Sequence, residues 1–177
     1  MKKTADTPAA PAEAPFKTTD YPFYWIVHTA NRYLQALEPM LKDMGLDIPR
    51  WRVLMVLYEQ SPAAVSEIAA RSIIKLTTMT KIIQRMERDG LVTTRRRPTD
   101  NRATEVSLTP KGDAARRHAR KEVDRIYEMT LAALPENEVR MLNTLLAKAF
   151  VNFDRVDEAR LQADALTTRK SARPSGT

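Results

Sequence analysis

The chain of 177 residues carries 29 Lys/Arg against 22 Asp/Glu, a formal charge of +7, and 43% apolar residues, which suits one globular domain or a compact domain with an appended interface. It has no cysteine, which excludes disulfides, thiolate metal sites and thiol redox switches; with only His28 and His118, a zinc site would have to lean on carboxylates, and no metal or cofactor is expected. The opening Met-Lys-Lys leads into TADTPAAPAEAP, which lacks an apolar signal core, and nowhere do roughly eighteen uncharged apolar residues run together, so the expectation is a cytoplasmic protein with no membrane partner.

Residues 1–19, rich in Ala, Pro, Thr and charge, read as a disordered arm, and residues 161–177 as a flexible tail. Asp20 can cap a first helix with Pro22 in its opening turn. Its apolar residues Ile26, Ala30, Tyr33, Leu34, Leu37 and Leu41 recur at helical spacing, Pro39 should kink the last turn, and Gly45 is the stop. After LDIP, Arg50 to Glu59 form a second helix with Val53, Leu54, Val56 and Leu57 inward. SPAAVSEIAARS holds a short third helix with Val65, Ile68 and Ala69 toward the core, and Ile73, Ile74 and Lys75 make the turn after it.

The fourth helix, LTTMTKIIQRMERDG, is the most informative. Leu76, Met79, Ile82, Ile83 and Met86 fall within an arc of about 120°. Thr77, Lys81, Gln84 and Arg88 lie opposite, flanked by Thr78, Thr80 and Arg85, and Gly90 supplies the left-handed position that ends the helix. Short hydroxyls, an amide and long cations are what a helix reading the major groove needs. LVTTRRR and ATEVSLT then alternate as strands around the turn PTDN. Thr109 caps, and Pro110 opens, a helix running to about Ala133. A last helix turns Val139, Leu142, Leu145, Leu146, Ala149, Phe150 and Phe153 inward.

Between Arg71 and Arg102 nine Lys/Arg face only Glu87, Asp89 and Asp100. Such a patch is a footprint for a polyanion, although charge alone also fits a solvated face. The element order resolves this: a short helix, a turn, a helix with a basic face and a basic hairpin make a winged helix-turn-helix. In that arrangement Arg95, Arg96 and Arg97 neutralise phosphates. Arg102, just past the turn, is best placed to enter the minor groove, with Asp100 close enough to orient its guanidinium. The alternative for these arginines is that they keep an exposed hairpin edge soluble and unpaired.

The run from SEIAARS through TTMTKIIQRMERDGLV to RRRPTDNRATEVSLTPKG resembles the multiple-antibiotic-resistance regulator (MarR) family, whose wing carries Asp-x-Arg, here Asp100-Asn101-Arg102, followed by Leu-Thr-x-x-Gly, here Leu108 to Gly112. WRVLMVL at 51–57 resembles the family's second helix, and the likeness spans roughly residues 21–160. One departure is Lys75-Leu76 at the start of the fourth helix, where a capping Ser or Asp is expected; Thr77 is the substitute cap. The resemblance implies a homodimer joined by its first and last helices, binding to a palindromic operator, and repression relieved by a small ligand, with Arg102 as the minor-groove arginine. The fold class expected is therefore mainly α with a small β-hairpin wing. Residues 46–108 would form the winged helix-turn-helix domain, and 20–45 with 109–160 the helical dimerisation region.

The apolar positions of the terminal helices also exceed what one small wing domain can cover, although an intramolecular bundle is the alternative. A ligand crevice would be lined by Tyr24, His28 and Arg32, on one face of the first helix, with Arg50 or Trp51 from the second; aromatic walls with cations suit an aromatic carboxylate. The same residues would serve equally as a polar seam of the dimer. With four glycines and no phosphate-cradling loop, nucleophile elbow or HExxH, the chain is not expected to be an enzyme. The remaining rival is a sequence-indifferent nucleoid-type DNA- or RNA-binding protein.

Overall fold

The computed structural model describes residues 17–97 and 100–156, and of residues 100–103 the backbone alone. After a 3-10 turn at Thr18–Asp20 the elements are α1 (Pro22–Asp43), α2 (Ile48–Glu59), β1 (Ala63–Ala64), α3 (Val65–Ser72), α4 (Leu76–Arg88), β2 (Val92–Arg97), β3 (Asp100–Leu108), α5 (Pro110–Thr130) and α6 (Glu136–Val151). They fall into two compact units, one up to Ile126 and one from Tyr127. The expected arm up to residue 16 and the tail at 161–177 lie outside the described residues. Among those described, no helix is long and apolar enough to cross a membrane.

In the first unit one apolar cluster joins Leu37 and Leu41 of α1, Trp51, Leu54 and Leu57 of α2, Ile68 of α3, Met79, Ile83 and Met86 of α4, Val92 and Val106 of the sheet, and Ala119 and Ile126 of α5. Local signals set most boundaries. Asp20 belongs to the 3-10 turn instead of capping α1, and Trp25 Nε1 donates to the Thr19 carbonyl at 2.9 Å. The helix runs through Pro39 to Asp43, and Gly45 follows at φ +69°. α2 begins two residues before the expected Arg50, because Asp47 accepts the Arg50 N–H at 2.8 Å and so caps a first turn containing Pro49.

The sheet is larger than a hairpin. β1 pairs antiparallel with β3, Ala63 opposite Val106 and Ala64 opposite Glu105, giving the order β1-β3-β2. β3 begins inside the expected turn PTDN, since Asp100 and Asn101 already belong to it. Arg96 lies opposite Thr104 but Arg97 opposite Asp100, so Asn101, Arg102 and Ala103 bulge from the ladder. Thr109 caps α5 as expected, its Oγ1 accepting the Gly112 N–H at 2.9 Å and donating to the Gly90 carbonyl at 2.7 Å; α5 ends at Thr130, short of Ala133.

Ile73, between α3 and α4, stands at φ 55° and ψ 46°, a left-handed conformation that is unusual for a β-branched residue, and its side chain is 74% exposed. Strain of about 1–2 kcal/mol is therefore held there with little burial to offset it. Ile73→Asn is expected to raise stability by about 1 kcal/mol in urea unfolding; an unchanged or lower midpoint would mean that the turn is not strained.

In the second unit most of the expected inward face of α6 is exposed, with Val139 and Ala149 half-buried. Leu142 and Leu146 are 39% accessible, Leu145 55%, Phe150 62% and the following Phe153 47%. Among the described residues a stripe that the sequence pattern marks as interior is therefore exposed.

Candidate nucleic-acid interface

α3, the Ile73 turn and α4 form a helix-turn-helix in which Met79, Ile82, Ile83 and Met86 are buried. The opposite face presents every expected contact residue to solvent: Thr77, Thr78, Thr80, Lys81, Gln84, Arg85 and Arg88 are all exposed. Lys75 occupies the N-cap position without a side-chain bond, and Thr77 lies inside the first turn instead of capping it. Leu76, expected to face the core, is 52% exposed; at the first helical position it lies beyond the reach of the buried stripe, beside a cleft of about 440 Å³ that Thr80, Gln84, Thr94 and Thr104 also line.

Two carboxylates, one from α4 and one from α3, couple the helix-turn-helix to the wing. Glu87 Oε1 accepts the Thr94 backbone N–H at 2.8 Å and its hydroxyl at 2.6 Å, tying α4 to β2. Glu67 of α3 caps its own helix by accepting the Ala64 N–H at 2.8 Å and stands 3.7 Å from the Arg97 guanidinium. Helix-turn-helix and wing are thus linked at two points along β2.

The wing arginines do not act as one group. β2 places Arg95 and Arg97 on one face, where Glu105 of β3 lies across from Arg95, and the carboxylate accepts from both, at 3.0 Å and 2.9 Å. Arg96 points the other way, is exposed, and makes no ion pair among the described residues. Of the three expected phosphate neutralisers, two are therefore compensated within the protein. Glu105 escaped the sequence reading because its partners depend on strand register; a lone acid opposite an arginine run was the signal. The side chains of Asp100 and Arg102 lie outside the described residues.

The hydrogen bond from Arg97, with that from Arg95, holds the Glu105 carboxyl below the usual carboxylate range, and the same bond raises Arg97. A carboxylate lowered on folding stabilises the native state above its ordinary value of 4.5, and that contribution fades as pH falls through the lowered native value. Glu105→Gln is expected to show a smaller loss of melting temperature between about pH 5 and about pH 3 than the parent chain. Equal losses would remove Glu105 from the acid response.

The expected ligand residues separate. Tyr24 and His28 stack with ring centroids 4.2 Å apart and line a cavity of about 300 Å³ with Thr18, Tyr21, Phe23 and Val27. Arg32 is exposed on the same helix but is not part of that lining. Arg50 is committed elsewhere: its guanidinium bonds Asp89 at 2.8 Å and the Gly45 carbonyl at 3.1 Å, fastening α2 to the end of α4. Trp51 is 5% exposed within the apolar core. The amphipathic pattern of α2 did not distinguish these structural roles from a crevice wall.

The sequence pattern of the MarR family matches residues 46–104. Over 144 residues the chain is 39% identical to the HTH-type transcriptional repressor IacR of Pseudomonas putida, covering 81% of this chain and 86% of that one. The chain belongs to the MarR family. Its fold matches the crystal structure of a MarR-family regulator from Silicibacter pomeroyi with a TM-score of 0.71 at 19% identity, over 77% of this chain and 92% of that one. It also matches NadR, solved in complex with 4-hydroxyphenylacetate, with a TM-score of 0.67 at 21% identity, over 79% of this chain and 97% of that one. As a MarR protein it is a DNA-binding transcriptional regulator rather than an enzyme. The MarR motif Leu-Thr-x-x-Gly now has a physical reason: Thr109 caps α5 against the α4–β2 turn, and Gly112 passes against the Leu91 carbonyl.

Proposed function

We propose that this MarR protein works as a homodimer that represses transcription from a palindromic operator and is released by a small aromatic anion. The observation that carries the DNA-reading part is the α4 face, where Thr77, Thr78, Thr80, Lys81, Gln84, Arg85 and Arg88 are exposed while its apolar stripe is buried. We assign base reading to Gln84 and Lys81, phosphate contact to Arg88, Arg96 and the threonines, and the minor groove to Arg102 with Asp100. Residues 46–108 would be the reading domain and 20–45 with 109–160 the dimerisation region; the exposed stripe of α6 supports that division. Two copies related by a two-fold axis would read two half-sites one helical turn apart.

Repression is supported by the P. putida repressor that the chain resembles. The aromatic anion is supported by the stacked Tyr24 and His28, with Arg32 as the nearby cation, and by the 4-hydroxyphenylacetate bound to NadR. A salt titration on the duplex flanking the protein's own gene, against a scrambled duplex, tests the reading. Selectivity of roughly 10³-fold or more is expected. Gln84→Ala should alter sequence preference with little change in salt slope, whereas Arg96→Ala should lower the slope by about 0.9 per protomer, about 1.8 for the dimer, and leave preference intact. Equal binding to both duplexes would favour the sequence-indifferent nucleoid reading of the same basic patch.

A further inference from the structure

The row of α4 that borders the cleft begins with an apolar residue that the fold does not bury. Leu76, Thr80 and Gln84 follow one another at i, i+4 and i+8, so they lie along one line of the helix and all border that cleft. Leu76 is 52% exposed, with no role in the core. Thr80 donates its hydroxyl proton to the Leu76 carbonyl at 2.9 Å, so toward a ligand it offers a methyl group and an acceptor but no donor. Gln84 keeps its amide free of hydrogen bonds among the described residues. The first turn of α4 contains no acid, and exposed Lys75 and Lys81 stand on either side of Leu76 in sequence. An apolar side chain set among cations and hydroxyls suits a partner that is anionic at its edge and carries an isolated apolar group within. In the major groove that group is the thymine C5-methyl.

We propose that Leu76 is a specificity-determining residue that packs on the thymine methyl of one base pair in each half-site, with Thr80 beside it and Gln84 reading further along the groove. The proposal rests on the DNA-reading role of α4 and adds a chemical identity to one position of the operator.

The test replaces each thymine of the selected operator in turn by uracil, which removes the methyl and leaves every hydrogen-bonding group unchanged. At one position per half-site the full-length protein is expected to lose affinity about fourfold, the worth of one buried methyl-sized group, and about fifteenfold when both half-sites are changed. Leu76→Ala should bind the thymine and uracil duplexes equally, while Leu76→Met keeps the preference; circular dichroism of both variants confirms that each is folded. Selective operator binding that is indifferent to uracil everywhere overturns the assignment and leaves DNA reading intact. A uracil penalty that persists unchanged in Leu76→Ala also overturns it, because another side chain then holds the methyl. Failure of the parent protein to select any duplex removes the DNA-reading role and this proposal together.

Discussion

Leu145→Glu is expected to leave the winged domain folded and to lower operator affinity at least about a thousandfold, to the level of non-specific binding. Leu145 sits mid-way along α6, 55% exposed, in the stripe formed with Leu142, Leu146 and Phe150. A stripe of this kind at a protein surface calls for a cover, and in the proposed isologous dimer the cover is the same stripe of a second copy. One substitution then places two carboxylates at a single apolar seam, where each is desolvated without a counter-charge. The consequence for DNA follows from half-site geometry, since a monomer keeps one reading helix and loses the gain from engaging two sites together. Sedimentation would report the monomer and a DNA titration the lost affinity. A variant that stayed dimeric and bound normally would place the interface elsewhere.

Gly112→Ala is expected to destabilise the fold by about 3 kcal/mol or more, the upper end for forced overpacking. A Cβ at this position would lie 1.9 Å from the Leu91 carbonyl oxygen and 2.9 Å from its carbon. Both are backbone atoms, so no rotamer change relieves the clash. Around them the Thr109 N–H donates to the same Leu91 carbonyl at 3.2 Å, and Lys111 Nζ to the Asp89 carbonyl at 2.7 Å, so the start of α5 is pinned where it cannot retreat. Gly90→Ala is the comparison: its new Cβ meets nothing closer than Lys111 Cδ at 3.9 Å, and only its left-handed φ of +71° is strained, a cost of about 1–2 kcal/mol. Urea midpoints would rank the two; equal losses would show that α5 slides to make room.

Features written in local periodicity or a single capping residue were legible before the fold was known. The buried stripe of Met79, Ile82, Ile83 and Met86, the left-handed Gly90 and the Thr109–Pro110 helix start depend on residues a few positions apart, and each stands as expected. What escaped the sequence depends on partners far along the chain. Ala63 and Ala64 carry no strand signal and become β1 only because β3 lies beside them. Arg50 reads as a ligand cation until Asp89, thirty-nine positions away, proves to hold it. Glu105 looks like an ordinary strand residue until the register sets it among arginines. Leu76, at the start of α4, is exposed against expectation for a related reason: helical phase says which side a residue takes, but not whether anything packs there. The polar side of α4 was readable because solvent needs no partner.

The bonds from Glu87 to Thr94 and from Glu67 to Arg97 reach past the reading face itself. They tie the helix-turn-helix to the wing, so each protomer presents the two together to a half-site. In the two-fold pair proposed above, the coordinate left to vary would be the gap between the two copies, as in a calliper. In the proposed release, a signal molecule would not need to disturb any group that touches a base. Opening the gap by a few ångströms would take both copies out of step with the pitch of the double helix, while each remains competent to read.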